Sequence, residues 1–223
     1  MRGLFFTFEG VEGSGKTTQL RRLAASLRQA GQPVMETREP GGTSLGEAIR
    51  SMLLMTRDQK MAAEAELFLY LASRAQLSRE CIRPSLEAGI IVVSDRFADA
   101  TVAYQGHGRG LDLRRVATMN RLATGGLVPD LTILLDLDPR EGLRRVRERG
   151  QVPLPEPFLD RLESEALEFH DRVREGYLHL AREEPHRFLV VDATRQQETV
   201  AREIWQRVEP LIGSWAVQGG RRS

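Results

Sequence analysis

Eight consecutive residues, Gly10-Val11-Glu12-Gly13-Ser14-Gly15-Lys16-Thr17, constrain this chain more than any other feature. They satisfy G-x-x-x-x-G-K-[ST] at every position. They follow a short β-rich run, Gly3 to Glu9, and open a stretch with helical spacing at Leu20, Leu23, Ala24 and Leu27. Strand, glycine loop and helix in that order make a phosphate cradle. Glycines reach positive φ without Cβ collisions, so successive N–H groups can converge on phosphate oxygens, and the helix N-terminus adds partial positive charge. The expected ATP contacts are therefore Gly10, Val11, Glu12, Gly13, Ser14, Gly15, Lys16, Thr17 and Thr18. Within them the motif assigns Lys16 to the β- and γ-phosphates and the Thr17 hydroxyl to Mg²⁺. Lys60 is the only other lysine, so a lysine-rich composition does not explain the match.

The alternation of strand and helix continues along the chain. Strands are expected at 33–37, 90–94 (IIVVS), 131–136 (LTILLD) and 187–192 (RFLVVD). Helices are expected near 44–55, 60–80, 139–149, 159–182 and 196–212. Continuously apolar strands separated by helices describe an α/β fold, a parallel sheet with helices on both faces. The prolines of QVPLPEP after Gly150 exclude regular structure there and imply a mobile loop. One domain over 1–212 is expected, with 213–223 as a flexible C-terminal tail.

Composition excludes several classes. No apolar run approaches the roughly 18 residues of a membrane span, and Glu9 cuts the N-terminal apolar stretch too short for a signal peptide. A single cysteine, Cys81, permits no internal disulfide and fits a cytoplasmic location. With 32 basic and 31 acidic residues interleaved, no bulk field recruits nucleic acid or anionic membrane. The four histidines have no metal-ligand spacing. Asp-x-x-Gly and Asn-Lys-x-Asp are both absent, which argues against a guanine-nucleotide switch.

Six segments, in order, resemble the signature regions of bacterial thymidylate kinases. They are EGVEGSGKTTQ (9–19), REPGGT (38–43), YLASRAQ (70–76), SDRF (94–97), TVAYQGHGRG (101–110) and FLDRLESEALEFHDRVREGYL (158–178). The resemblance implies the nucleoside-monophosphate kinase version of the P-loop NTPase fold, a five-stranded parallel sheet with helices on both faces and a mobile lid at about 145–161. It implies phosphoryl transfer from MgATP to dTMP in dTTP biosynthesis. A homodimer is expected, for which the apolar faces of the 60–80 and 159–182 helices would serve, although a core-facing stripe reads the same in sequence; no nucleic-acid or membrane partner is expected.

The resemblance also implies roles. Arg38 and Arg96 would bind the dTMP phosphate, where a guanidinium offers a bidentate fork. Asp95 would sit near Mg²⁺ and, with Lys16, Arg96 and Arg149, belong to the catalytic set. Glu12 would meet the sugar 3′-hydroxyl. Tyr70 would stack on thymine where the family usually has phenylalanine, and Arg74 would approach the carbonyl edge of the base. Thr101 would hydrogen-bond the base, Gln105 would join the acceptor pocket, and Tyr104 would crowd the 2′ position against ribonucleotides. Arg145, Arg147, Arg149 and Arg161 would reach ATP from the lid.

Residue by residue, plainer readings stand beside these. Tyr70 also fits a core position in ELFLYLA, the lid arginines a solvated helix face, and Asp95 with Arg96 a simple ion pair. A kinase of the same fold acting on another monophosphate or a deoxynucleoside is the nearest rival, and a non-catalytic nucleotide-binding protein the rival of another class.

Overall fold

The computed structural model describes residues 2–55, 61–149, 162 and 165–220, without the side chains of 55, 149 and 216–220. Five strands form one parallel sheet in the order β2-β3-β1-β4-β5: β1 Phe5–Glu9, β2 Val34–Arg38, β3 Ile91–Asp95, β4 Leu131–Asp136 and β5 Phe188–Asp192. Successive side chains in a strand point to opposite faces, and the strands use both. Phe6, Phe8, Ile91 and Val93 pack against Leu20, Leu23 and Leu27 of helix α1 (Lys16–Gln29). Phe5 and Val92 point the other way, onto Leu77, Ile82, Leu86 and Phe97. All five strands lie within one residue of their expected starts and ends, apart from β1, which begins two residues late.

Helices α2 (Ser44–Met55) and α3 (Ala63–Leu77) follow, and α3 runs on through a π-helical turn, Ser78–Ile82, into α4 (Arg83–Glu87). Pro84 accounts for the break. It has no N–H and its ring collides with the carbonyl four residues back, which a wider π turn relieves. After β3 come α5 (Ala98–Thr101), a second π-helical segment (Val102–Gly108) and α6 (Leu113–Thr124). None of these was expected from the sequence, although α6 has legible ends. The Asp112 carboxylate accepts from the Arg115 N–H at 2.8 Å, and Gly125 sits at φ 60° after the last turn.

Helices α7 (Pro139–Arg149), α8 (Leu167–Glu183) and α9 (Gln197–Gly220) complete the chain. Two expectations are corrected. Helix α8 starts at Leu167 rather than 159, because Ala166 is extended (φ −64°, ψ 152°). Helix α9 passes Gly213 to Gly220, and Trp215 in the added turns donates its indole N–H to the Arg2 carbonyl at 2.7 Å. From residue 150 onward, the lid expected over 145–161 lies outside the described residues.

Helix α7 meets the phosphate loop through two glycines. A Cβ on Gly142 would stand 2.2 Å from the Glu12 carbonyl oxygen, and one on Gly13 2.2 Å from the Gly142 oxygen. Both contacts are to backbone, which cannot swing aside. Gly142→Ala is therefore expected to destabilise the chain by about 1–3 kcal/mol through overpacking. Urea denaturation checks this, and an unchanged midpoint would contradict so close an approach.

Candidate active site

The carboxyl ends of the strands converge on one cleft, as they do in open parallel sheets. A cavity of about 650 Å³ lies there, and the phosphate loop forms its floor with Glu12, Gly13, Lys16 and Thr17. The loop needs its glycines: Gly10, Gly13 and Gly15 have φ of 139°, 71° and 92°. Lys16 is buried, and its ammonium donates to the carbonyls of Val11 (2.8 Å) and Gly10 (3.0 Å). Burial and the neighbouring Arg96 charge push its pKa down to about 8. The Thr17 hydroxyl donates to Asp95 Oδ2 at 2.6 Å. The β1–α1 loop and the end of β3 thus bring together the two residues expected to hold the metal.

Arg96, next after β3, is the only non-glycine described residue at positive φ (70°), a conformation costing roughly 1–2 kcal/mol. Its N–H donates to the Phe8 carbonyl at 3.0 Å, and its own carbonyl accepts from the Ser94 hydroxyl at 2.7 Å. The guanidinium lies 4.7 Å over the Tyr104 ring and donates to Glu12 Oε1 at 2.8 Å and to the Tyr177 hydroxyl at 3.3 Å. The Tyr104 hydroxyl donates to the same Glu12 oxygen at 2.6 Å. Burial opposes charge on Glu12, but Arg96, His170 and Lys16 outweigh it and hold the carboxyl well below the usual range. Its second oxygen is 3.3 Å from His170 Nδ1.

Beneath this cluster lies Glu9, fully buried, accepting from the Phe97 N–H (2.7 Å) and the Tyr177 hydroxyl (2.8 Å). Burial, and then the charge of Asp99, raise its pKa to about 8.

Arg38, Tyr70, Asp95, Arg96, Thr101, Tyr104 and Gln105 all line the cavity. Arg38 donates to both oxygens of Glu47 at 3.0 Å. Arg74, expected to approach the base, lies directly behind the cavity-lining Thr101. Only 1% exposed, it donates through Nε to Glu39 (2.6 Å) and through Nη2 to the Phe97 carbonyl (2.9 Å). Its Nη1 donates to Thr101 and Asn120, both at 2.7 Å. A guanidinium so engaged braces Thr101 from behind.

Sequence reasoning missed Glu39, Arg50, Tyr177 and His170. Glu39 and Arg50 line the cavity, and burial pushes the Glu39 carboxyl up to about 7 against the charge of Arg74. The REP segment pointed to Glu39; Arg50 carried no local signal.

A second cavity, about 610 Å³, opens on the far side of the same loop, lined by Gly13, Ser14, Gly15, Thr18, Arg145 and Arg195 among others. Arg145 is anchored there by Glu141 Oε1 (2.8 Å) and the Ala193 carbonyl (3.2 Å). Arg147 is on the exposed side of α7; the Arg149 side chain and Arg161 lie outside the described residues.

A phosphate loop shared by two cavities, with basic groups on both sides of it, defines a nucleotide-binding enzyme of the P-loop class. The thymidylate kinase family model matches residues 8–204. A thymidylate kinase of Deinococcus radiodurans is 54% identical, covering 93% of this chain and 97% of its own length. One of Solidesulfovibrio magneticus is 52% identical, covering 94% and 100%. The solved structure of the Ehrlichia chaffeensis thymidylate kinase superposes with a TM-score of 0.74 at 33% identity, covering 94% of this chain and all of that one. The chain belongs to the thymidylate kinase family.

The folded chain holds the Glu9 proton with a pKa of about 8 against an ordinary value of 4.5. Between these values the folded state binds more protons than the unfolded state, so this contribution to stability falls as pH rises. Glu39, raised to about 7, adds the same sign over the lower part of that window. Urea unfolding should therefore show wild-type stability declining from pH 5 to 8, with a shallower decline in Glu9→Gln. Equal slopes would remove the buried neutral carboxyl from the account.

Proposed function

We propose that the larger cavity seats dTMP and the smaller one ATP, with the shared phosphate loop between them. Phosphorylation of dTMP to dTDP is the reaction of the family to which the chain belongs. The observation that carries the seating is that one loop lines both cavities, so a donor phosphate held on it faces an acceptor across it.

Each group then has a chemical task. The acceptor is already an ionised phosphate, so one of its oxygens attacks the γ-phosphorus directly while the bond to ADP breaks, and no general base is required. Arg96 and Arg38 hold the acceptor phosphate, and Lys16 compensates charge on the donor. Positioning and preorganised charge supply the acceleration. Arg145 approaches the donor from α7, and Arg147, Arg149 and Arg161 extend that set toward the lid. Tyr70 offers a stacking face, and Tyr104 narrows the pocket at the 2′ position beside Glu12, which meets the 3′-hydroxyl.

The Thr17 hydroxyl and the Asp95 carboxylate suit Mg²⁺, which takes hard oxygen donors, few of them from protein. When bound, Mg²⁺ neutralises charge on the bridging and transferring phosphate oxygens.

A second copy of the chain completes the assembly, in a cytoplasmic enzyme. Helices α3 and α6 pack through Leu67, Leu71 and Val116 while leaving Phe68 (56%) and Leu122 (84%) exposed, an apolar surface suited to a partner. Sedimentation should give twice the chain mass; a monomer would remove this part.

The functional test is an acceptor panel with MgATP: dTMP, dUMP, dCMP, dGMP and thymidine. dTMP should turn over best, and dUMP less well, because the methyl contributes about 1–3 kcal/mol in an apolar pocket. Lys16→Ala should cut kcat by about 10²-fold or more with the fold retained. Absence of dTDP from dTMP would overturn the proposal.

A further inference from the structure

The amide of Gln105, which lines the larger cavity from the π-helical segment, is held in one orientation. Its Nε2 donates to Glu66 Oε1 at 2.7 Å. Glu66 lies on α3, one turn before Tyr70, and is 0% exposed. Arg109 pairs with it, its guanidinium reaching Oε1 at 3.3 Å and Oε2 at 3.0 Å. An ionised carboxylate only accepts hydrogen bonds, so the amide atom that faces it must be the N–H side. Gln105 Oε1 is therefore turned away. It accepts from no described group and is not among the sealed, unpartnered atoms of the interior, so it opens to the cavity.

One turn earlier, at the end of α5, the Thr101 oxygen accepts from Arg74 at 2.7 Å, which leaves its hydroxyl hydrogen to donate. The wall thus presents a donor at Thr101 beside an acceptor at Gln105. A base edge that matches carries a carbonyl next to an N–H. Thymine and uracil have this pattern at N3. Cytosine reverses it, and its unprotonated N3 would set a lone pair against Oε1.

We propose that Glu66 is a positioning residue for base selection, fixing the Gln105 amide so that the site accepts a hydrogen bond from N3–H and disfavours cytosine. The inference rests on the seating of dTMP in the larger cavity. A buried polar group left unpaired by the wrong partner is what makes such discrimination strong.

The test is calorimetric affinity of the full-length protein for dTMP, dUMP and dCMP, which share sugar and phosphate. In Glu66→Gln the new amide no longer dictates how Gln105 turns. The dCMP-to-dTMP ratio of dissociation constants should shrink by about tenfold or more, with dUMP following dTMP. The swap Glu66→Gln/Gln105→Glu should restore the wild-type ratio. In it the amide on α3 donates to the carboxylate on the π-helical segment, whose second oxygen remains an acceptor for the base. A purely structural role predicts equal weakening of all three ligands, a lower Tm and an unchanged ratio, and that result overturns the proposal. If Glu66→Gln does not fold because Arg109 loses its counter-charge, the ratio is read on Glu66→Gln/Arg109→Gln. Wild-type protein that fails to bind dTMP would instead overturn the seating of dTMP itself.

Discussion

Glu12 and Arg96 meet at 2.8 Å from two different parts of the chain, the phosphate loop and the residue after β3. Their contact sets the distance between the loop and the wall of the larger cavity. Removing both charges from water costs about what their attraction returns, so such a pair adds little net stability. Losing one partner is another matter, because it strands the other charge in a buried setting at a cost of several kcal/mol. The pair therefore defines position more than it adds cohesion. Tyr104 completes it, its hydroxyl donating to Glu12 and its ring under the Arg96 guanidinium. Arg96 keeps its positive φ because two backbone hydrogen bonds and this side-chain cage hold it, in the way strain persists at functional sites.

Arginine serves two different ends in this chain. Arg74 and Arg187 are buried and spend their donors on internal carboxylates, hydroxyls and carbonyls, Arg187 bridging Asp99 and Glu184. Arg38, Arg50 and Arg96 face the cleft. A planar fork of five donors suits both uses, bracing loops from inside or gripping phosphate from outside. Which use a given arginine serves depends on burial, and a residue letter does not carry burial.

The two π-helical segments illustrate the same division. Pro84 gives the first a local cause. The second contains no proline, yet it brings Tyr104 and Gln105 to the cavity one turn beyond Thr101. Its Gly108 leaves no room for a Cβ, which would lie 2.7 Å from the Phe169 ring of α8. The packing of α8 against this segment sets its shape, through contacts between residues some 60 positions apart in the chain.

Much of the architecture was legible before any coordinate. The five strands, the phosphate loop and α2 follow from runs and periods of a few residues, which are local properties. Helix α6 has legible ends too, in Asp112 and Gly125, although it was not among the expected helices. The start of α8 and the end of α9 were not legible, since an extended Ala166 and a helix carried through Gly213 have no local sequence signal of their own. By itself the sequence determined that a lysine and a hydroxyl would sit on a glycine loop at a helix start, because motif and neighbours lie within twenty residues. Only the tertiary structure decided that Arg74 braces Thr101, that Glu66 holds Gln105, and that one loop borders two cavities. Those outcomes depend on which groups distant in sequence come within hydrogen-bond reach, and hydrogen bonding between them acts only over about 3 Å of space.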